Sequence, residues 1–189
     1  IFAGLMSVVD LSGEFNSVLI PRNAVLVKLG ERSKGSRAYS LQELIDTLDG
    51  QAKKLEKAKS KSKKDDKDDK EPSKKETILT ALLAGEKPLI IEVSRAQDML
   101  ELIKLKSQFE KLNMVFAGAQ DAQLISDELV TAKVPVILSA VANLPGSFDS
   151  LHSSLTTAGV LEKAGVTVLL TVGGDSSHNM YQLRYDAGI

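Results

Sequence analysis

The sequence has no cysteine, and this absence limits the chemistry that is open to it. Disulfide bonds, cysteine nucleophiles and thiolate metal ligands are all excluded. The compartment is not fixed by this, because many exported proteins also lack cysteine. Cytoplasmic and periplasmic locations both stay open.

Long apolar runs are missing as well. No stretch reaches the roughly 18 consecutive apolar residues that a membrane-spanning helix needs, and residues 1–4 lack the basic start and cleavage pattern of a signal peptide. We therefore expect no membrane span, and any targeting signal would lie upstream of Ile1. With 43% hydrophobic residues and a net charge of −1 over 189 residues, the composition is that of an ordinary globular chain with one sizeable core.

Three common functional motifs do not occur. Without GxGxxG or GxxxxGK[ST], a dinucleotide or P-loop site has no sequence support. There is no GxSxG elbow, and the sequence has two histidines, His152 and His178, which argues against a serine hydrolase. These histidines are too far apart to form a ligand pair on one helix, so a metal site would need further ligands.

Short β-branched runs alternate with helical patterns from Pro88 onward, which is typical of successive βα units around a parallel sheet. The predicted strands are Leu89 to Val93, Met114 to Ala117, Val134 to Leu138 and Val166 to Val172. The predicted helices between them are Arg95 to Leu112, Gln120 to Ala132 and Leu155 to Ala164. Repeats this short suit a closed barrel or a doubly wound sheet, and both place ligand sites at the carboxyl ends of the strands.

The N-terminal part is less regular but strand-rich, with a helical pattern from Leu41 to Leu55 and another from Thr77 to Leu83 that Gly85 should end. We assign residues 1–58 to the N-terminal part of the same barrel and residues 76–189 to its C-terminal βα units. Residues 59–75 carry many charges and almost no apolar side chain. Acidic residues interleave with the lysines and no aromatic is present to stack a base, so a disordered insertion is favoured over a nucleic-acid tether.

Two acidic residues stand out at predicted strand ends. Asp175 follows an apolar strand and two glycines, where a carboxylate could bind metal or act as a general base, or could simply cap the next helix. His178 lies one short turn further on. Glu92 interrupts an apolar strand, and a buried charge there needs a partner, either a metal ion or Arg95 in the following loop.

Several segments together carry a family resemblance. They are Pro88 to Asp98, Val134 to Leu138, Asn143 to Asp149, Asp175 with His178 and Asn179, Leu183-Arg184 and Ala187-Gly188, with Val8 to Gly13 and Gly35 to Ala38 earlier in the chain. This combination resembles the amidohydrolase superfamily, and in particular its imidazolonepropionase-like members. The resemblance spans nearly the whole chain apart from the lysine-rich insertion.

The resemblance implies a (β/α)₈ TIM barrel, and the ends of the chain lead us to expect a partial one, truncated on both sides. It also implies a hydrolase of C–N bonds in amides or cyclic amides that activates water with divalent metal, zinc in the first place. The usual ligands are an HxH pair on the first strand, histidines after the fifth and sixth, and an aspartate after the eighth that also serves as base. Asp175 matches the aspartate, Glu92 stands where the fifth-strand histidine would be, and Ala117-Gly118 occupies the sixth-strand position.

The implied site therefore has Asp175 as catalytic group and metal ligand, with Glu92 as a second ligand. Arg95, Asn143 and His178 would bind a small-molecule substrate, and a homo-oligomer is conceivable. The competing hypothesis is a non-catalytic barrel that has lost the metal site and serves as a binding or structural partner. A partial barrel also exposes sheet edges, so we expect it to aggregate or to recruit a partner.

Overall fold

The computed structural model describes residues 1–10, 12–29, 35–61, 71–139, 143–172, 181, 183–186 and 188. The strands are β1 (Phe2–Val9), β2 (Val18–Lys28), β3 (Leu89–Val93), β4 (Met114–Gly118), β5 (Val136–Ser139) and β6 (Val168–Thr171). The helices are α1 (Arg37–Lys61), α2 (Lys74–Leu83), α3 (Ala96–Gln108), α4 (Ser126–Ala132), α5 (Thr157–Ala164) and α6 (Leu183–Asp186), and a 3-10 turn (Ala122–Ile125) precedes α4. Among these described helices, none is long and apolar enough to cross a membrane.

The six strands form one sheet in the order in which they occur along the chain. Strands β2 to β6 are parallel, as the βα pattern predicted, and the sheet curls into half of a barrel. Strand β1 differs, because it pairs antiparallel with β2. The connection between them, residues 10–17, is too short for a crossover that would return the chain parallel, so a hairpin is the geometry left.

Alternate residues of the parallel strands pack against the helices. In β3, Leu89, Ile91 and Val93 are buried while Ile90 and Glu92 are half-buried. The buried set meets apolar side chains of α1 to α5 in one continuous core, and Phe116 of β4 is its largest fully buried member. Its helical members include Leu44, Leu48, Leu82, Met99, Leu102, Leu129 and Leu161. Each fully buried side chain of this kind stabilises the fold by about 1.5–3 kcal/mol.

The other face of the sheet is covered by fewer side chains. The register places Ile90 beside Val115, and Ala117 beside Ile137, which in turn lies beside Leu169. These residues are half-buried or exposed although all are apolar, and Leu169 is 47% exposed. In a closed barrel such inward-facing positions form the packed interior.

Helix α2 begins earlier than the pattern predicted because a capping box fixes its start. Ser73 Oγ accepts from the Glu76 amide, and Glu76 Oε2 accepts from the Ser73 amide. The helix therefore begins at Lys74, inside the segment that we assigned to the insertion. Gly85 ends it as predicted, with a left-handed φ of 79° and its amide bonded to the Leu82 carbonyl oxygen.

Candidate functional site

Glu92 lies near the carboxyl end of β3 and forms an ion pair with a neighbouring strand. Its Oε2 is 3.2 Å from Lys28 Nζ, and both side chains are partly exposed. The pairing follows from the parallel register, which sets Lys28 of β2 directly beside Glu92. Arg95, the partner that we considered from the sequence, is bound elsewhere, so a Glu92–Arg95 pair is wrong.

Arg95 leaves the sheet as the N-cap residue of α3 and pairs with Asp149. Its Nε is 2.5 Å from Asp149 Oδ1, and Arg37 at the start of α1 donates to the same oxygen over 2.8 Å. Arg37 also lies 3.7 Å from Asp98. This group of four residues, the arginine clamp, ties the loop after β5 to the first turns of α1 and α3.

Asn143 is 4% exposed, and its side chain forms a hydrogen bond within the loop after β5. Its Nδ2 donates to the Ser154 carbonyl oxygen over 2.8 Å. Ser150 fixes the same loop, because its Oγ accepts from the amides of Gly146 and Ser147. The structure thus places Asn143 at the carboxyl-end rim, where its substrate-binding role remains a prediction.

An Asp–His pair that sequence reasoning missed lies on the same rim. His152 Nδ1 is 3.3 Å from Oδ1 of Asp121, whose side chain is 11% exposed. The backbone of His152 is held as well, because Gln123 donates to its carbonyl oxygen and itself accepts from the buried Thr157 hydroxyl. No local pattern links positions 121 and 152, since the contact exists only once the loops after β4 and β5 meet.

The two remaining predicted site residues, Asp175 and His178, lie outside the described residues. Within the described part of the chain, no cluster of three or more histidine, aspartate or glutamate side chains could hold a metal ion. The metal site therefore stays a prediction that rests on residues beyond those placed here.

No family model matches the chain, and no curated protein matches it. One solved structure does match, a protein from Thermotoga maritima MSB8 described as an amidohydrolase, with a TM-score of 0.77 and 20% sequence identity. The fold is similar to that of an amidohydrolase. The match covers 97% of this chain and 50% of the Thermotoga chain, so this chain spans half the length of its structural neighbour.

The amidohydrolase-like fold confirms the coarse expectation of a partial TIM-like barrel built from mostly parallel strands. It also favours the barrel over the doubly wound sheet that the repeat lengths left open. At this identity the likeness concerns the fold alone.

Proposed function

We propose that the chain is part of a metal-dependent hydrolase that acts on C–N bonds of amides or cyclic amides. The observation that carries the proposal is the amidohydrolase-like fold across 97% of the chain. Glu92, Arg95 and Asn143 all lie at or just beyond the carboxyl ends of β3 and β5. Barrels of this kind place their ligand sites at that end.

The proposed metal, zinc in the first place, needs more ligands than the described residues offer. Glu92 is the one described candidate, and its carboxylate already faces the Lys28 ammonium group at 3.2 Å. A single carboxylate beside a cation does not make up a zinc site, which takes three or four protein ligands. Asp175 and groups beyond the described residues would have to complete it, and we derive no catalytic step through the metal.

The Lys28–Glu92 ion pair favours a second candidate function. If Glu92 serves only to pair with Lys28, the chain is a non-catalytic barrel that binds or supports a partner. An ion pair between neighbouring strands is a sufficient structural reason for a charge in β3.

Metal analysis and hydrolysis of a panel of cyclic amides, both measured on the full-length protein, separate the two functions. The hydrolase predicts zinc bound in stoichiometric amount, and Asp175→Ala should then lower kcat at least a hundredfold. Glu110→Ala, an exposed carboxylate in a turn, serves as the matched control and should leave kcat unchanged. A protein that binds no metal and hydrolyses nothing in the panel would reject the hydrolase and favour the non-catalytic barrel.

A further inference from the structure

The hairpin of β1 and β2 leaves part of the sheet without a helix of its own. The parallel strands are joined through helices that pack on one face of the sheet, as α1 and α2 do between β2 and β3. Strand β1 runs directly into β2 through residues 10–17, so this connection adds no helix. Seven of the eight residues of β1 are accordingly exposed. The helix side of β1 is therefore open to solvent beside α2.

A cavity of about 470 Å³ lies at this position, between the hairpin and α2. Residues 2–5 of β1 and Val25 of β2 line one side of it, and Lys75, Ile78 and Leu79 of α2 line the other. The register sets Leu5 directly beside Val25, whose side chain belongs to the core beneath the helices. Both side chains therefore point to the helix side of the sheet. The volume lies within the range of about 300–1,000 Å³ that small-molecule sites occupy.

Among the described residues that line this cavity, which we call the hairpin cleft, Lys75 alone carries a polar side chain. Lys75 is exposed and forms no ion pair with another described residue. The neighbouring acid, Glu76, is already engaged, because its Oε1 accepts from Lys54 Nζ over 2.7 Å and its Oε2 accepts from the Ser73 amide. The cleft therefore combines an apolar lining with one positive charge that no described side chain neutralises.

This combination fits a ligand with an alkyl chain and one negatively charged end. The alkyl chain would leave water for the apolar lining, where each buried methylene group strengthens binding about fourfold. A carboxylate at the end of the chain would accept a charge-assisted hydrogen bond from the Lys75 ammonium group. The ammonium group can stay in water at the mouth of the cleft while the stem of Lys75 lies along the apolar wall.

Other ligand classes fit the cleft less well. A sugar or a nucleotide needs several polar partners, and Lys75 supplies the single polar side chain of the described lining. A cationic chain would meet the Lys75 charge without a carboxylate to offset it. A neutral alkyl chain would leave the ammonium group without a partner.

We propose that the hairpin cleft binds a free aliphatic carboxylate, with its chain between β1 and α2 and its carboxylate beside Lys75. The site does not depend on the proposed hydrolase function. It lies on the helix side of the sheet, whereas Glu92 and Arg95 lie at or just beyond the carboxyl end of β3.

The test uses octanoate as the probe and octylammonium as the matched cation, titrated separately into the full-length protein and followed by calorimetry. We expect one octanoate to bind per chain. Its binding should be about tenfold tighter than that of octylammonium, because the cation replaces an attraction to Lys75 by a repulsion of similar size. Hexanoate, which is shorter by two methylene groups, should bind on the order of tenfold more weakly than octanoate.

Charge reversal at Lys75 separates the cleft from adventitious binding. Lys75→Glu should reverse the preference, so that octylammonium binds more tightly than octanoate, and an acidic residue in the first turn of α2 is compatible with folding. Lys74→Glu makes the same change at the adjacent exposed residue, which does not line the cleft, and should keep the preference for octanoate. Leu5→Trp should fill the cleft and abolish saturable binding of both ligands, whereas Val9→Trp, at an exposed position of β1 outside the lining, should not.

Three results would overturn the inference. Octanoate binding that is not saturable, or that Lys75→Glu and Leu5→Trp both leave unchanged, would mean that octanoate associates elsewhere. Equal affinity for octanoate and octylammonium would remove Lys75 as the partner of the carboxylate. A protein that sediments as a dimer and binds no octanoate would show that a second copy covers the free edge of β1 instead. Because neither metal nor turnover enters these measurements, a failure of the hydrolase proposal would leave this inference intact.

Discussion

Replacing Asp149 with asparagine tests whether the arginine clamp holds the rim together. The change keeps the shape of the side chain and removes its charge, so packing is preserved. Asp149 is 13% exposed and accepts one well-aligned hydrogen bond from Arg37 at 2.8 Å, together with a close, poorly aligned contact from Arg95. A hydrogen bond to a charged group contributes about 1.5–3 kcal/mol, whereas an exposed ion pair contributes about 0.2–1 kcal/mol.

The expected loss of stability lies in the lower part of the range for hydrogen bonds to charged groups. The two arginine side chains are 31% and 38% exposed, so water solvates them once the carboxylate is gone. We expect Asp149→Asn to lower the free energy of unfolding by about 1.5–2.5 kcal/mol, at the lower end of the range for charged hydrogen bonds. The sequence has no tryptophan, so urea unfolding is best followed by circular dichroism at 222 nm.

A matched control variant and a double-mutant cycle show whether the loss of stability comes from the contacts of Asp149. Glu101 pairs with Lys104 at 2.8 Å on the exposed surface of α3, and Glu101→Gln should cost less than about 0.5 kcal/mol. In a cycle that combines Asp149→Asn with Arg37→Gln, the two losses should be clearly non-additive. If Asp149→Asn costs no more than the control, or if the cycle is additive, the clamp does not stabilise the rim and our reasoning about it fails.

Two further predictions concern α2 and the glycine turns. Hydrogen bonds from Lys54 and Ser73 lower the pKa of Glu76 to about 2, so its stabilising effect is complete above the ordinary value of 4.5 and is lost as the pH falls towards 2. The advantage of the unaltered protein over Glu76→Gln in urea unfolding should therefore shrink between these pH values, and a constant difference would contradict this. A new Cβ at Gly85 would lie 2.5 Å from a backbone carbonyl oxygen, whereas one at Gly165 would meet no atom within 4 Å, although both glycines have left-handed φ angles. Gly165→Ala should cost about 1–2 kcal/mol and Gly85→Ala about 2–4 kcal/mol in thermal unfolding, and equal losses would argue against the clash.

The sequence pattern located the parallel strands because each is a short apolar run bounded by helical periodicity. The runs beginning at Leu89, Met114 and Val134 became β3, β4 and β5 with shifts of at most two residues at their ends. The pattern could not predict the direction of β1, because an apolar strand has the same sequence pattern whether it pairs parallel or antiparallel with its neighbour. Only the length of the β1–β2 connection carries that information, and it points to a hairpin.

The rim was less predictable than the sheet, because its contacts join residues far apart in sequence. Glu92 was singled out as a buried charge that needs a partner, but its side chain is 41% exposed, and the register that supplies Lys28 exists only in the folded sheet. Arg95 was placed beside Glu92 because they are close in sequence. The chain turns at the start of α3 and carries Arg95 to Asp149 of a distant loop.

The half-buried inner face of the sheet and the polar rim differ in whether further structure must cover them. Ile90, Val115, Ile137 and Leu169 of this face are apolar and incompletely covered by the described residues. A closed barrel would bury such residues, and this chain matches half of the Thermotoga chain. The polar rim needs no such cover, because the Asp121–His152 and Arg95–Asp149 contacts lie within the loops after β3, β4 and β5. The effect of Asp149→Asn on unfolding can therefore be measured without the strands that would close the barrel.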